Sequence, residues 1–224
     1  MDISTQNTPE QLIEKALNLS RYARRLTESD PTTLDLLRAT LFTPWDAAAM
    51  QAILDGCAID DETALKKALR ALRKQVMLRL IVRDLAGLAD LREVMSTATV
   101  LAEVTTRFAL SRIDSWLRSQ YGAPVGEESG TEQDLVVVGM GKLGGGELNV
   151  SSDIDLIFAY PEEGETTGPR KTSNHEYFAL LGKKLIGALN EATPDGFVFR
   201  VDMRLRPYGD SGPLVGSFSM LENY

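Results

Sequence analysis

The chain of 224 residues contains one cysteine, Cys57, and one histidine, His175. A single thiol cannot close an internal disulfide, and one cysteine with one histidine cannot furnish a zinc site. No catalytic triad assembles around His175, which reads as a surface or helix-start residue, while Cys57 reads as a small buried apolar one. Positive charge is also scarce: 24 Lys and Arg against 32 Asp and Glu leave a net charge of −8 and a pI near 4.8. Such a chain has no general attraction for nucleic acid or an anionic membrane, so any anionic ligand must be met by a local basic cluster. No apolar run is long enough to span a bilayer and no secretory signal opens the chain, which makes the cytoplasm the expected compartment. Internal repeats and low-complexity tracts are absent, and the length suits one large or two small domains.

What is present begins with helices. Thr8-Pro9-Glu10-Gln11 is a capping box with proline at the first helical position. Leu12, Ala16, Leu19, Ala23 and Leu26 follow at alternating spacings of four and three, which predicts one helix with one buried stripe. Asp30-Pro31 opens a second helix, and Thr43-Pro44-Trp45-Asp46 opens a third that Gly56 closes. A fourth covers residues 61–85 with Leu65, Leu69, Leu72, Val76 and Leu80 on one face. Asp90 and Glu93 start a last one carrying Val94, Ala98, Leu101, Phe108 and Trp116. The arginines and lysines between these stripes read as solvated faces. Residues 120–133, with Gly122, Pro124, Gly126, Gly130 and several glutamates, are the one clear break in composition. The expected organisation is a helical region 1–119, a linker 120–133 and a second unit 134–224.

The second unit opens with a β-branched run at residues 135–138, closed by Gly139, and a further apolar run covers residues 154–160. These are two strands of one sheet. Alternation along the second puts Ile154, Leu156 and Phe158 on one face and Asp153 and Asp155 on the other. Two carboxylates about 6–7 Å apart on a strand can share divalent cations, and hard oxygen ligands suit Mg²⁺. The segment from Gly139 to Gly144 also satisfies GxGxxG, the dinucleotide-binding fingerprint. That fingerprint must open a crossover of roughly a dozen residues or more, and only eight residues separate Gly144 from Asp153. A phosphate-binding Walker A loop fails as well, because no Gly-Lys-Ser/Thr follows the glycines. What remains is a flexible turn over Gly144, Gly145 and Gly146, whose backbone N–H groups approach phosphate closely, with hydroxyl donors from Ser151 and Ser152.

Residues 161–172 read as a polar loop. Ser173 and Glu176 form a capping box, and Phe178, Leu181, Leu185 and Leu189 give the following helix its packing face. After a turn at Asp195-Gly196, residues 197–205 read as a third strand. Val201, Met203 and Leu205 share one face of it, and Arg200, Asp202, Arg204 and Arg206 share the other. A carboxylate flanked by arginines suits metal-assisted phosphoryl or nucleotidyl transfer, with Asp202 as a third metal ligand and the arginines offsetting phosphate charge. A salt-bridge ladder on a strand surface has the same pattern.

Two long motifs, GMGKLGGGELNVSSDIDLIFAY and FRVDMRLRPYGDSGPLV, occur in this order with a helix between them. Together they resemble the glutamine synthetase adenylyltransferase family, the bifunctional adenylyltransferase and adenylyl-removing enzymes of bacterial nitrogen regulation. The resemblance implies an α+β chain: a helical N-terminal half, then a polymerase-β-like nucleotidyltransferase domain with a small mixed sheet and flanking helices. Members carry two related nucleotidyltransferase domains. Gly146-Glu147-Leu148-Asn149 and Asp210-Ser211-Gly212-Pro213-Leu214-Val215 resemble the N-terminal one, which removes AMP from a tyrosine of glutamine synthetase by phosphorolysis, giving ADP. The other domain adds AMP from ATP.

By the same resemblance, Asp153, Asp155 and Asp202 are catalytic carboxylates holding one or two Mg²⁺ ions. Gly144, Gly145, Ser151, Ser152, Arg204 and Arg206 bind nucleotide and phosphate. Glutamine synthetase, the PII signalling protein, phosphate and adenine nucleotide are the implied partners, with neither nucleic acid nor membrane among them. The chain is also expected to be a fragment, with the rest of the first catalytic domain and the whole second one lying beyond it. Two other functions stay open: a nucleotidyltransferase of the same fold acting on nucleic acid, against which the acidic balance counts, and a catalytically incomplete binding or regulatory unit.

Overall fold

The computed structural model describes residues 8–224, so residues 1–7 of the expected helical region lie outside it. The fold is α+β, with a helical first half and a small mixed sheet in the second. Helix α1 (Pro9–Leu19) starts at the predicted capping box: the Thr8 hydroxyl accepts from the Gln11 N–H, and the Gln11 side chain accepts from the Thr8 N–H at 2.9 Å. The single helix expected through Leu26 is two. The chain breaks at Ser20 (φ −121°, ψ 107°), whose hydroxyl caps α2 (Arg21–Ser29) by accepting from the Ala23 N–H at 3.2 Å. The apolar spacing conceals the break because Leu12, Ala16 and Ala23 still enter one core cluster with Leu37 and Leu78. Leu19, at the joint, is 63% exposed.

Helices α3 (Thr32–Thr40), α4 (Ala47–Asp55), α5 (Glu62–Ala86) and α6 (Leu91–Tyr121) follow. Asp46, Asp61 and Asp90 cap the last three through their side chains, as short acceptors at these positions should. Three arginines of α5 are not on a solvated face. Arg70, Arg79 and Arg83 are buried and spend their donors on main-chain carbonyls at the ends of other elements. Arg79 donates twice to Thr40 O (2.9 and 2.7 Å), and Arg83 donates to Leu41 O at 2.5 Å while pairing with Glu93 at 2.6 Å. Arg70 donates to Ala188 O at 3.0 Å, to Gly196 O at 2.8 Å and to Glu191 O. A guanidinium suits this task because its donors satisfy several helix-end carbonyls at once. Cys57, expected to be buried, is half-buried, its thiol 3.3 Å from Ile53 O.

Residues 120–133, expected as a linker, carry strand β1 (Pro124–Gly126). The remaining elements are β2 (Val136–Met140), α7 (Gly141–Gly144), β3 (Ile154–Tyr160), β4 (Gly164–Thr166), α8 (Asn174–Asn190), β5 (Val201–Asp202), β6 (Val215–Ser217) and α9 (Phe218–Glu222). Strand β4 lies in the expected polar loop and pairs antiparallel with β1, Val125 opposite Glu165. Strand β2 continues through Gly139 rather than ending before it.

In the second sheet β3 is central. Antiparallel β2 lies along one edge, with Gly139 opposite Leu156. Along the other edge β5 and β6 both run parallel to β3. Ile154, Leu156 and Phe158 are buried, and the Gly182 of α8 lies so close to this face that a Cβ there would meet the Phe158 ring at 2.8 Å. One core runs from Met50 and Leu54 through the residues of α5, α6, β3 and α8 to Val215, so the helical half and the sheet pack as a continuous apolar interior. Among the described residues no helix is long and apolar enough to cross a membrane.

The third strand is much shorter than residues 197–205, because only Val201 and Asp202 pair with β3. Past Asp202 the chain turns. The Asp202 carboxylate accepts from the Arg204 N–H at 2.9 Å, a local side-chain bond that competes with the strand ladder. The Arg206 N–H then bonds to Met203 O at 3.2 Å. Leu205, expected to share a strand face with Val201 and Met203, is consequently 52% exposed while Met203 is buried.

Candidate active site

The edge of the sheet gathers the acidic residues. Asp155 and Asp202 are register partners on the parallel pair β3 and β5, and Met140 is opposite Asp155 on the other side. Neighbouring strands are about 4.8 Å apart, so directly paired residues present side chains to the same face. Asp153 sits two residues before Asp155, just ahead of the strand. The buried face of β3 fixes this arrangement: with Ile154 and Leu156 in the core, the intervening carboxylate must face outward.

The glycine-rich turn packs against this edge. Gly141 opens α7 with φ +53°, a conformation that favours glycine, and a Cβ there would lie 2.7 Å from the Asp155 carboxylate. Gly144 ends α7, and the Gly145 N–H is spent inside the turn on Gly141 O at 3.0 Å. Asn149 pins the next loop. Its side-chain oxygen accepts from the Ser151 N–H (3.0 Å) and hydroxyl (3.1 Å), and its N–H donates to the Ser152 hydroxyl at 3.3 Å. The expected flexible turn is therefore ordered by its own hydrogen bonds, with Ser151 already committed and Ser152 retaining its O–H. Sequence reasoning places Asn149 only within the motif at residues 146–149, although Asn followed two residues later by Ser is also a turn signal.

Two arginines sit on two of the three carboxylates. Arg200, on the chain entering β5, donates to Asp153 through Nε and Nη2 and to Ser151 O at 3.0 Å. Arg204 folds back on Asp202, with Nε 3.0 and 2.8 Å from the two carboxylate oxygens. That guanidinium holds the Asp202 carboxyl below the usual carboxylate range, and Asp202 in turn raises Arg204. Arg206 does not share their face. It turns inward, donating to Met203 O at 2.8 Å with Asp210 3.6 Å away, and its side chain is only 13% exposed. Arg200, expected only as one of the arginines flanking Asp202 and not among the nucleotide-binding residues, makes the closest approach to Asp153.

Among the described residues, no three acidic, histidine or cysteine groups converge as a ready metal cluster. The donor chemistry nonetheless fits a hard divalent cation. Three carboxylates belong to one edge, and guanidinium groups now balance two of them as a cation would. No donor or cation of the described residues is paired with Asp155. These guanidinium pairs are exposed on the arginine side, 58% for Arg200 and 75% for Arg204, so solvent screens them and both can exchange partners readily.

The family model described as glutamate-ammonia ligase adenylyltransferase matches residues 10–224. A bifunctional glutamine synthetase adenylyltransferase/adenylyl-removing enzyme of Chromobacterium violaceum is 58% identical over 212 residues, covering 95% of this chain and 24% of that protein. Proteins of the same name from Nitrosomonas eutropha and Aromatoleum aromaticum are 52% and 51% identical, over 95% and 100% of this chain and 23% and 24% of their own lengths. The chain thus spans about a quarter of the length of the curated relatives it matches. It belongs to the glutamate-ammonia ligase adenylyltransferase family.

Proposed function

We propose that this chain is the catalytic core of a Mg²⁺-dependent nucleotidyltransferase that acts on glutamine synthetase, and that its reaction removes AMP from an adenylylated tyrosine by phosphorolysis. The observation that carries this function is the register pair Asp155 and Asp202 beside Gly141, with Asp153 two residues up the chain. The adenylyl chemistry is supported by the names of the relatives, and the removing direction by the motifs at residues 146–149 and 210–215. Phosphate, adenine nucleotide, the PII signalling protein and a cytoplasmic location belong to the same proposal.

In this reaction an oxygen of inorganic phosphate attacks the AMP phosphorus. The bond from phosphorus to the tyrosine oxygen breaks, ADP forms, and the departing phenolate takes up a proton. Phosphate is already an anion, so no side chain is needed as a general base. Asp153, Asp155 and Asp202 would hold Mg²⁺, which when bound supplies positive charge to the entering and leaving oxygens. Arg200 and Arg204 neutralise two of the carboxylates in the resting chain and can turn their donors to phosphate oxygens. Ser152 keeps a hydroxyl proton to donate at the same edge.

A binding unit without turnover is the second function to weigh, and the absence of a converged acidic cluster among the described residues favours it. One experiment separates the two. Asp155→Asn in an enzyme of full family length should lower phosphate- and Mg²⁺-dependent ADP release from adenylylated glutamine synthetase by more than about a hundredfold, beyond the loss typical of an outer-shell metal partner. Unchanged release would refute the catalytic assignment.

A further inference from the structure

Where α2 and α5 meet the loop ahead of β3, a cavity of about 290 Å³ opens beside the acidic edge. Tyr22, Arg73 and Phe197 form one part of its lining, and Ser151, Ser152 and Arg200 another. We propose that this cavity seats the nucleobase of the substrate nucleotide, an inference that rests on the proposed function and extends it.

Position is the first argument. Arg200 lines the cavity and also pairs with Asp153, so a single side chain separates the cavity from the carboxylate edge. A nucleotide whose phosphates lie at that edge has its base directed toward a neighbouring hollow. Size is the second. The volume of about 290 Å³ lies just under the roughly 300–1,000 Å³ of small-molecule sites, which is room for one heterocycle and not for a folded peptide segment.

Chemistry is the third. The Arg73 guanidinium carbon lies 4.9 Å from the Phe197 ring centroid, and Arg73 Nη1 donates to the Tyr22 hydroxyl at 3.2 Å. Its buried Nε has no hydrogen-bond partner among the described residues. Aromatic rings and a planar cation offer stacking faces, and an unspent N–H seeks an acceptor. A base supplies both a flat face and ring-nitrogen acceptors. A phosphate group would waste the apolar wall, which includes buried Met77, and an aliphatic chain would leave Arg73 Nε unsatisfied.

The test is calorimetric titration of this chain with ADP and, separately, with pyrophosphate, both in Mg²⁺. Tyr22 and Val150 are 39% and 37% exposed, so Tyr22→Ala and the cavity-filling Val150→Trp should both fold. Tyr22→Ala should weaken ADP about tenfold, as loss of one base stack does, and Val150→Trp at least as much. Pyrophosphate should bind all variants within about twofold, and Tyr22→Phe should bind ADP nearly as the parent does, because the stacking face remains. Equal affinity of the parent for ADP and pyrophosphate, or silence of both substitutions toward ADP, would overturn the base seat alone. Failure of the parent to bind either ligand would overturn the phosphate site and the base seat together.

Discussion

Asp155 and Asp202 face each other across two parallel strands that β4, α8 and their flanking loops connect. Such a pair cannot form through a tight turn; it needs a crossover whose far end is held in place. Arg70 holds it. From α5 its guanidinium gathers the carbonyls of Ala188 and Glu191 at the end of α8 and of Gly196 in the turn that leads to β5.

Arg70→Met should therefore cost about 2–4 kcal/mol of folding stability, since it removes the donor to the buried Ala188 carbonyl and to the partly buried carbonyls of Glu191 and Gly196. Urea denaturation measures this directly. Arg70→Lys should recover only part of the loss, because one ammonium cannot reach carbonyls spread over two elements. A loss below the range typical of exposed sites would show that Arg70 is dispensable for the crossover.

Gly141→Ala places a Cβ 2.7 Å from the Asp155 carboxylate and requires alanine at φ +53°. The backbone conformation alone costs about 1–2 kcal/mol, a fall of roughly 2–8 °C in melting temperature for a chain of this size. Displacement of Asp155 should add at least a tenfold loss of ADP release in the full-length enzyme. Gly87→Ala is the control: it has φ +78° with nothing within 4 Å, so it should lose similar stability and keep its activity. Equal activity in the two variants would separate Gly141 from the chemistry.

Local signals were readable in the sequence and non-local ones were not. Thr8, Asp46, Asp61, Asp90 and Ser173 each bond three residues ahead, so residue type and spacing suffice to place their helix starts. The β2 and β3 strands show in their apolar runs. The break at Ser20 was hidden because the apolar spacing continues across it, and the buried arginines of α5 were misread because their carbonyl partners lie far away in sequence. The end of β5 was missed for a local reason: Asp202 bonds to the main chain two residues on, a tendency that alternation cannot express. The facing of Asp155 and Asp202 belongs to the non-local class, as it depends on where α8 delivers the chain.

The ion pair on Asp202 makes its titration diagnostic. Arg204 holds the Asp202 carboxyl below the usual carboxylate range. The stabilisation is complete above the unfolded-state value near 3.9 and is lost as pH falls through the lower folded-state value. Arg204→Gln should raise the Asp202 midpoint toward the ordinary range in a carboxyl-carbon NMR titration. An unmoved midpoint would mean that the pair is not formed in solution.

Arg200→Ala should tighten Mg²⁺ binding, because it frees Asp153 from a competing cation. The effect should stay below about fivefold, the ceiling for an exposed pair, and ADP release should fall as a phosphate donor is lost. Weaker Mg²⁺ binding in this variant would show that Arg200 supports the cation and does not compete with it.

The most direct measurement is a crystal of this chain grown with Mn²⁺ and ADP, with anomalous scattering used to locate the metal. Anomalous density between Asp155 and Asp202, with Arg200 and Arg204 turned from the carboxylates toward phosphate, is the predicted result. ADP bound with no metal at that edge, and both arginines still paired as they are now, would contradict it.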